Sequence, residues 1–277
     1  MAICYIVATP IGNLADLSQR ALETLKSVTV VFAEDTRVSG RLLSHFGISA
    51  KLLSLHEHNE RERTAQVVRY LEEGESVAII SDAGTPLISD PGYPVVAHLR
   101  QHDFDVIPIP GPSAIITALS VSGLPTDRFT FEGFLPSKKG ERVTKLLNLQ
   151  SEPRTMVFYE SSHRITAMLS DAVEVFGEHH PAFFGREMTK HFEEYRGGTL
   201  GELLTYLTDH SDKVRGEFVV AIGGVTESES DQSSVSDEAL LTALLAEGIP
   251  VKQAVKVATK LSATPKNRLY EMALTLK

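Results

Sequence analysis

Cysteine is all but absent from the 277-residue chain, Cys4 being the only one. A lone thiol closes no internal disulfide, and no Cys/His group has zinc-ligand spacing, so a reducing compartment (the cytoplasm) and no structural metal are expected. Long apolar runs are absent too, since nowhere do about 18 apolar residues follow one another. The opening Met-Ala-Ile-Cys-Tyr-Ile-Val has no basic n-region and turns polar within ten residues, which predicts a protein neither secreted nor membrane-spanning. Also missing are G-x-G-x-x-G, a Walker A lysine loop and G-x-S-x-G, which removes the usual dinucleotide, nucleotide and hydrolase signatures.

Positive charge is in deficit: 27 Lys and Arg stand against 36 Asp and Glu, a formal charge of −9. Phosphate binding is electrostatic, so the total speaks against a nucleic-acid partner. The distribution of charge is less one-sided. Residues 226–238 hold five acids and no base, whereas residues 239–277 hold Lys252, Lys256, Lys260, Lys266, Arg268 and Lys277 against Glu247 and Glu271. The first stretch is therefore −5 and the second +4, which leaves −8 on residues 1–225, where any basic surface must be local.

A length of 277 residues, 42% of them hydrophobic, suits one large domain or two ordinary ones. The first half alternates β-branched runs with helical patterns, the mark of βα units and a largely parallel sheet. Strands are predicted at 3–8, 28–33, 77–81 and 105–108. Between the first two, Leu14, Leu17, Ala21, Leu22 and Leu25 fall at helical spacing with Asp16 placed to cap, and Val67, Val68 and Leu71 mark another helix. After Gly/Pro punctuation at 110–125, runs at 129–133, 155–160, 181–185 and 217–223, with a striped helix through Ile165–Phe176, predict a second α/β domain. The boundaries expected are 1–112, 113–225, an acidic linker at 226–238 and a helical module at 239–277. In that module Ser236 can cap a first helix that Gly248 ends, Pro250 can occupy the first position of a second, and Thr264-Pro265 can start a third. Lys252, Lys256 and Lys260 share one face of the second helix, opposite Val251, Ala254, Val255, Ala258 and Leu261. That face is either merely solvated or an RNA-touching surface.

Three Pro/Gly-rich segments follow predicted strands: Thr9-Pro10-Ile11-Gly12-Asn13-Leu14, Ser81 to Gly92, and Pro110-Gly111-Pro112-Ser113-Ala114. Open α/β sheets place ligands at the carboxyl ends of their strands, and glycine and proline at such ends allow close approach along a fixed path. Glu34 and Asp35 end the second strand beside Arg37. Asp35 could orient a hydroxyl or accept its proton with Arg37 on a phosphate, or the two could form a plain structural pair.

The strings Ile6–Leu14, Ala33–Arg37, Ser81–Pro86, Pro110–Ala114, Phe158–Arg164 and Arg186–Lys190, in this order, resemble the bacterial ribosomal RNA small-subunit methyltransferase I family of the tetrapyrrole-methylase superfamily. Ala8 departs from the proline common there. The resemblance runs from about residue 3 to 224, and the last 40 residues resemble that family's helix-turn-helix-like extension. It implies two α/β domains of tetrapyrrole-methylase type with S-adenosylmethionine in the cleft between them, and methylation of a cytidine ribose 2′-hydroxyl in small-subunit ribosomal RNA near the decoding centre. A homodimer is implied as well. Cofactor contacts would come from Pro10, Asp82, Gly84, Thr85, Ile88, Pro112, Ser113, Ala114, Tyr159, Met188, Val220 and Ala221, although Met188 could equally be core. Candidate catalytic residues are Asp35, Glu160 and Lys190, the lysine needing a depressed pKa to act as a base. Candidate RNA contacts are Asn13, Arg37, His163, Arg164, Arg186, Lys252, Lys256 and Lys260. Two other readings stay open: methylation of a tetrapyrrole or other small molecule, and a non-catalytic S-adenosylmethionine-binding module in RNA assembly.

Overall fold

The computed structural model of the chain describes residues 2–225, 237–262 and 264–276. The chain divides into two compact units, residues 1–150 with 154–223, and residues 151–153 with 224–277. The first unit is α/β and holds two five-stranded sheets.

In the first sheet, β1 (Ile3–Val7), β2 (Val30–Ala33), β3 (Lys51–Ser54), β4 (Val77–Ile80) and β5 (Asp105–Ile109) lie in the order β3-β2-β4-β1-β5. Every pairing is parallel. Helices α1 (Gln19–Ser27) and α2 (Thr36–His45) cover one face, where Val7, Val31 and Ile80 meet Ala21, Leu25 and Leu43. Helices α3 (Glu60–Glu72) and α4 (Tyr93–Gln101) cover the other, where Ile6, Phe32 and Ile79 meet Val67, Leu71, Val95 and Leu99. A sheet buried on both faces needs continuous apolar strands, and β2 and β4 are buried at every residue. Because all five strands run the same way, the loops after β1, β4 and β5 emerge at one edge.

The second sheet is mixed, in the order β6 (Phe129–Phe134), β7 (Thr155–Ser161), β10 (Glu217–Ile222), β8 (Pro181–Arg186) and β9 (Glu194–Thr199). Only β6 and β7 pair in parallel, with a register shift between Phe131 and Gly133. Helices α6 (Lys139–Asn148), α7 (Ile165–Phe176) and α8 (Leu200–Asp209) bury one face. Helix α5 (Ala114–Ser122) packs Ile115, Ala118 and Leu119 on the other, against Val157, Phe183 and Ala221.

Several local expectations shift. The predicted helix through Leu14 and Asp16 is two pieces: a single 3-10 turn at Leu14–Asp16 capped by Asn13, then α1. Leu17 between them is extended, so Ser18 rather than Asp16 caps α1, accepting from the Ala21 N–H at 3.1 Å. In the second unit, α9 (Asp237–Ala246) starts two residues ahead of the expected module, and Ser236 lies outside the described residues. Helices α10 (Val251–Leu261) and α11 (Lys266–Thr275) start one residue after Pro250 and Pro265, which sit at the cap rather than the first helical position. Leu241, Ala254, Val255, Ala258, Leu269 and Ala273 form the core of this unit, whereas Leu261, expected on the apolar face, is 71% exposed. Among the described residues no helix is long and apolar enough to cross a membrane, and no group of three or more His, Cys, Asp or Glu could hold a metal ion.

Candidate active site

The three Pro/Gly-rich loops of the first sheet are tied to one another through their backbones. Thr9 and Gly84 exchange N–H···O bonds of 2.9 and 3.0 Å, an isolated bridge between the loops after β1 and β4. Gly84 adopts φ +80°, and a Cβ there would lie 3.3 Å from Ile11 Cγ2. Thr85 Oγ1 donates to the Pro112 carbonyl at 3.1 Å, joining the third loop. Ser113 then starts α5 without a side-chain cap, so the helix's first N–H groups have no partner of that kind.

These loops line one side of a cavity of about 380 Å³, within the usual range for small-molecule sites. The second sheet supplies the opposite side through Phe134, Tyr159 and the loop carrying Met188. Both rims hold an apolar side chain between two strained residues: Ile88 between Leu87 (φ +75°) and Ser89 (φ +66°), Met188 between Glu187 (φ +48°) and Thr189 (φ +65°). Left-handed non-glycine residues cost about 1–3 kcal/mol each and persist where the surroundings over-determine them, which is characteristic of ligand sites. Phe134 stays 57% exposed against Tyr159, whose ring it meets edge-on at 5.7 Å.

The polar lining is unevenly charged. Burial lifts the carboxyl groups of Asp82 and Asp90 above the ordinary carboxylate range, and the proximity of Asp82 raises Asp90 further; Glu34, which does not line the cavity, is raised in the same way. Asp82 and Asp90, both lining the cavity, favour a cationic guest. Burial likewise pushes the Tyr159 hydroxyl up to about 12, so it remains protonated. At the rim, Lys190 Nζ donates to Glu187 Oε1 at 2.8 Å and Glu217 Oε2 at 2.9 Å.

Ten of the residues singled out from sequence line this cavity: Asp82, Gly84, Thr85, Ile88, Ser113, Ala114, Tyr159, Glu160, Met188 and Lys190. Others are placed differently. Val220 belongs to the core under α6–α8 and Ala221 to the core under α5; Val219 lines the cavity instead. Lys190 does not have the depressed pKa a base would need. Burial alone would lower it, but the hydrogen bonds to Glu187 and Glu217 outweigh that and hold the ammonium above the ordinary lysine value. Asp35 lines no part of the cavity; its carboxylate caps α2 and chelates Arg37, which holds its pKa well below the usual range. Glu160 is buried, accepts from the Ser161 N–H at 2.8 Å and has its carboxyl raised by burial. Its second oxygen lies 3.3 Å from Arg164 without the alignment of a hydrogen bond.

The expected RNA contacts divide likewise. Arg164 donates to the carbonyls of Leu135 and Pro136, and Arg186 donates to the Glu194 carboxylate and the Phe192 carbonyl, so both cations are engaged within the protein. Asn13 caps the 3-10 turn. His163, Arg37, Lys252, Lys256 and Lys260 are exposed. Sequence reasoning gave no role to Phe134, Asp90 or Glu217. Asp90 was within reach as the second acid of the Ser81–Gly92 segment.

The tetrapyrrole (corrin/porphyrin) methylase family model matches residues 4–204, and that of the RsmI C-terminal HTH domain matches residues 231–277. Ribosomal RNA small subunit methyltransferase I of Escherichia coli O157:H7 is 47% identical over 98% of this chain and 94% of its own length. Its Pseudomonas aeruginosa counterpart is 48% identical over 98% and 96%. Among solved structures, cobalt precorrin-4 methyltransferase superposes with a TM-score of 0.57 at 17% identity, over 80% of this chain and 94% of that one, a likeness of fold. With this fold, these loops and near-full-length identity to such relatives, the chain belongs to the ribosomal RNA small subunit methyltransferase I family, within the tetrapyrrole methylases.

Proposed function

We propose that the protein methylates a cytidine ribose 2′-hydroxyl of small-subunit ribosomal RNA near the decoding centre, with S-adenosylmethionine as donor, acting in the cytoplasm as a homodimer. The observation that carries this reading is the cavity itself, where raised carboxylates face an apolar wall of Ile88, Phe134, Tyr159 and Met188. Its residues suit a cationic thioether-derived donor with an aromatic end. Tyr159, Met188 and Phe134 offer the flat apolar surface an adenine needs. Gly84, Thr85, Ile88, Ser113 and Ala114 offer backbone polar groups, while Asp82 and Asp90 offer negative charge. Pro10 and Pro112 fix the path of their loops, and the Pro112 carbonyl is engaged by Thr85. The relatives, ribosomal RNA small subunit methyltransferases by name, support ribosomal RNA as acceptor.

S-adenosylmethionine, when bound, supplies an electrophilic methyl carbon on a positively charged sulfur. What the chain must do is align a hydroxyl oxygen with that carbon, and such alignment is worth on the order of 7–11 kcal/mol. The Thr9–Gly84 bridge and the strained Ile88 and Met188 loops hold the two rims for this purpose. Asp82 stands at the rim with a carboxyl lifted above the ordinary range, which makes it a better proton acceptor than Asp35. Lys190, kept cationic between Glu187 and Glu217, steadies the oxygen as its proton leaves.

Incubation with methyl-labelled S-adenosylmethionine and either small ribosomal subunits or tetrapyrroles tests the reading. Label is expected in RNA at one alkali-resistant ribose position. Label in pigment, or donor binding without transfer, would contradict it.

Acidity acts on donor binding with a definite sign. Raised carboxyl groups are protonated where ordinary ones are ionised, so a cationic donor binds with release of protons. Donor affinity measured by calorimetry is therefore expected to climb with pH through a window starting near 3.8, the ordinary aspartate value, and extending above it. Asp90→Asn is expected to flatten that climb and lower affinity at neutral pH. Without donor the same groups favour the folded state below 3.8, and that contribution is lost as pH rises through their folded values.

The second unit is read as an RNA-docking module, its Lys252, Lys256 and Lys260 being exposed. Removing residues 237–277 is expected to weaken RNA binding and to reduce the slope of log affinity against log salt by about 2–3, as for three lost phosphate contacts. An unchanged slope would remove the lysines from the interface.

A further inference from the structure

A second cavity, of about 520 Å³, opens beside the first and shares with it a wall that includes Ile11, Asp82, Lys190 and Glu217. Its far side is α2. Two features there are foreign to a plain solvated helix. Leu14 and Val38, both lining it, remain 40% and 42% exposed. Ser39, also in the lining, is only 2% exposed, and its Oγ meets no hydrogen-bond partner. A helical serine ordinarily satisfies itself on the carbonyl four residues back. Ser39 does not, and an unpaired buried hydroxyl costs free energy until a partner arrives.

Charge runs along the same helix. Arg37, Arg41 and His45 follow at four-residue steps and so form one ridge. Arg37 is neutralised by Asp35, whereas Arg41 makes no ion pair among the described residues, and Arg41 and His45 line the cavity. Arg41 is therefore a local positive charge on residues whose sum is −8.

We propose that the second cavity receives one unstacked nucleobase of the acceptor RNA, with its ribose at the shared wall. The base lies against Leu14, Val38 and Leu42, the Ser39 hydroxyl bonds a polar atom of its edge, and Arg41 and His45 take the adjoining phosphates. An enzyme that works on one nucleotide must bring it out of its stack into a pocket, and the stack's lost contacts are replaced there by apolar side chains. The geometry places the ribose hydroxyl beside Asp82 and Lys190, the shared residues whose side chains can accept a proton and steady the oxygen. This inference rests on the reading of the protein as an RNA methyltransferase.

Full-length Val38→Trp, which fills the pocket from an exposed position, and Arg41→Glu test it against the wild type. Donor affinity by equilibrium dialysis and kcat/KM for small-subunit RNA at saturating donor are measured separately. Both variants are expected to lower kcat/KM by about 10–100-fold while donor affinity stays within about twofold. Cys4 is fully buried and its thiol is pushed up to about 12, so Val38→Cys introduces the one reactive thiol. Maleimide labelling of that thiol is expected to be blocked by the RNA and not by donor alone. If the wild type transfers no methyl group to RNA, the reading of the reaction fails and takes the pocket with it. If the wild type transfers normally while both variants keep their kcat/KM and RNA leaves the thiol open, the pocket assignment alone is overturned.

Discussion

Gly84→Val is expected to reduce methyl transfer by about 10²-fold or more, through lost donor affinity, while the protein still folds. Gly84 sits at φ +80°, which a β-branched residue resists, and its Cβ would press on Ile11 at 3.3 Å. The strain alone is about 1–3 kcal/mol. More damaging is where the relief would fall. Gly84 holds the two-bond bridge to Thr9, so any shift separates the loops after β1 and β4 and misplaces Asp82 and Thr85 together. Displacements of about 1 Å are enough to cost about 10²-fold in a reaction that depends on alignment. Gly74, at φ +85° with nothing within 4 Å of its would-be Cβ, provides the control. Gly74→Val should carry similar backbone strain with unchanged transfer. Equal effects of the two substitutions on transfer would mean that the bridge does not set the site.

Arg142→Met is expected to destabilise the protein by about 3–5 kcal/mol, a fall in melting temperature of roughly 6–20 °C. Arg142 Nε meets Asp171 Oδ2 at 2.6 Å, and the two side chains are 7% and 4% exposed. Removing the cation leaves a buried carboxylate with only Lys139, at 3.6 Å, for company. The carbonyl of Ser137, to which Nη1 donates at 3.1 Å, loses its partner as well. Apolar replacement of both members, Arg142→Met with Asp171→Leu, should recover most of the loss, because the desolvation cost of each charge disappears with it. If the double variant is no more stable than the single one, the loss belongs to the Ser137 and Pro136 carbonyls and not to the ion pair. Either way the 135–137 turn is affected, and that turn delivers Phe134 to the cavity wall.

The buried parts of this fold were legible in sequence because burial writes apolar runs. The strands at 3–7, 30–33, 77–80 and 105–109 and the helix Ile165–Phe176 fall where the pattern puts them. Two of the four edge strands, β3 and β9, left no such trace. Lys51–Ser54 is half exposed at the end of the first sheet, and Glu194–Thr199 carries two glycines and four exposed residues at the end of the second. Their strand character comes from a neighbour's hydrogen bonds rather than from side-chain pattern.

The site was legible to a similar depth. Glycine and proline after three parallel strands pointed to the loops that line this cavity, and most of the expected donor contacts are among its lining residues. What the residue types could not disclose was their partners. Arg164 and Arg186 look like phosphate-binding cations until their backbone carbonyls and Glu194 are seen. Lys190 looks like a lysine with a choice of charge until two carboxylates fix it. Phe134 enters the cavity wall only through the register shift at Gly133 in β6, which no periodicity signals. Ser39 is one serine among several until its unmet hydroxyl marks a second cavity.

Crystals grown with S-adenosylmethionine bound give the most direct test. The donor is expected between the two sheets of the first unit, its adenine against Tyr159 and Met188 and its methionine end near Gly84 and Asp90. A donor held anywhere else on the chain, with that crevice occupied by solvent alone, would contradict the proposed site.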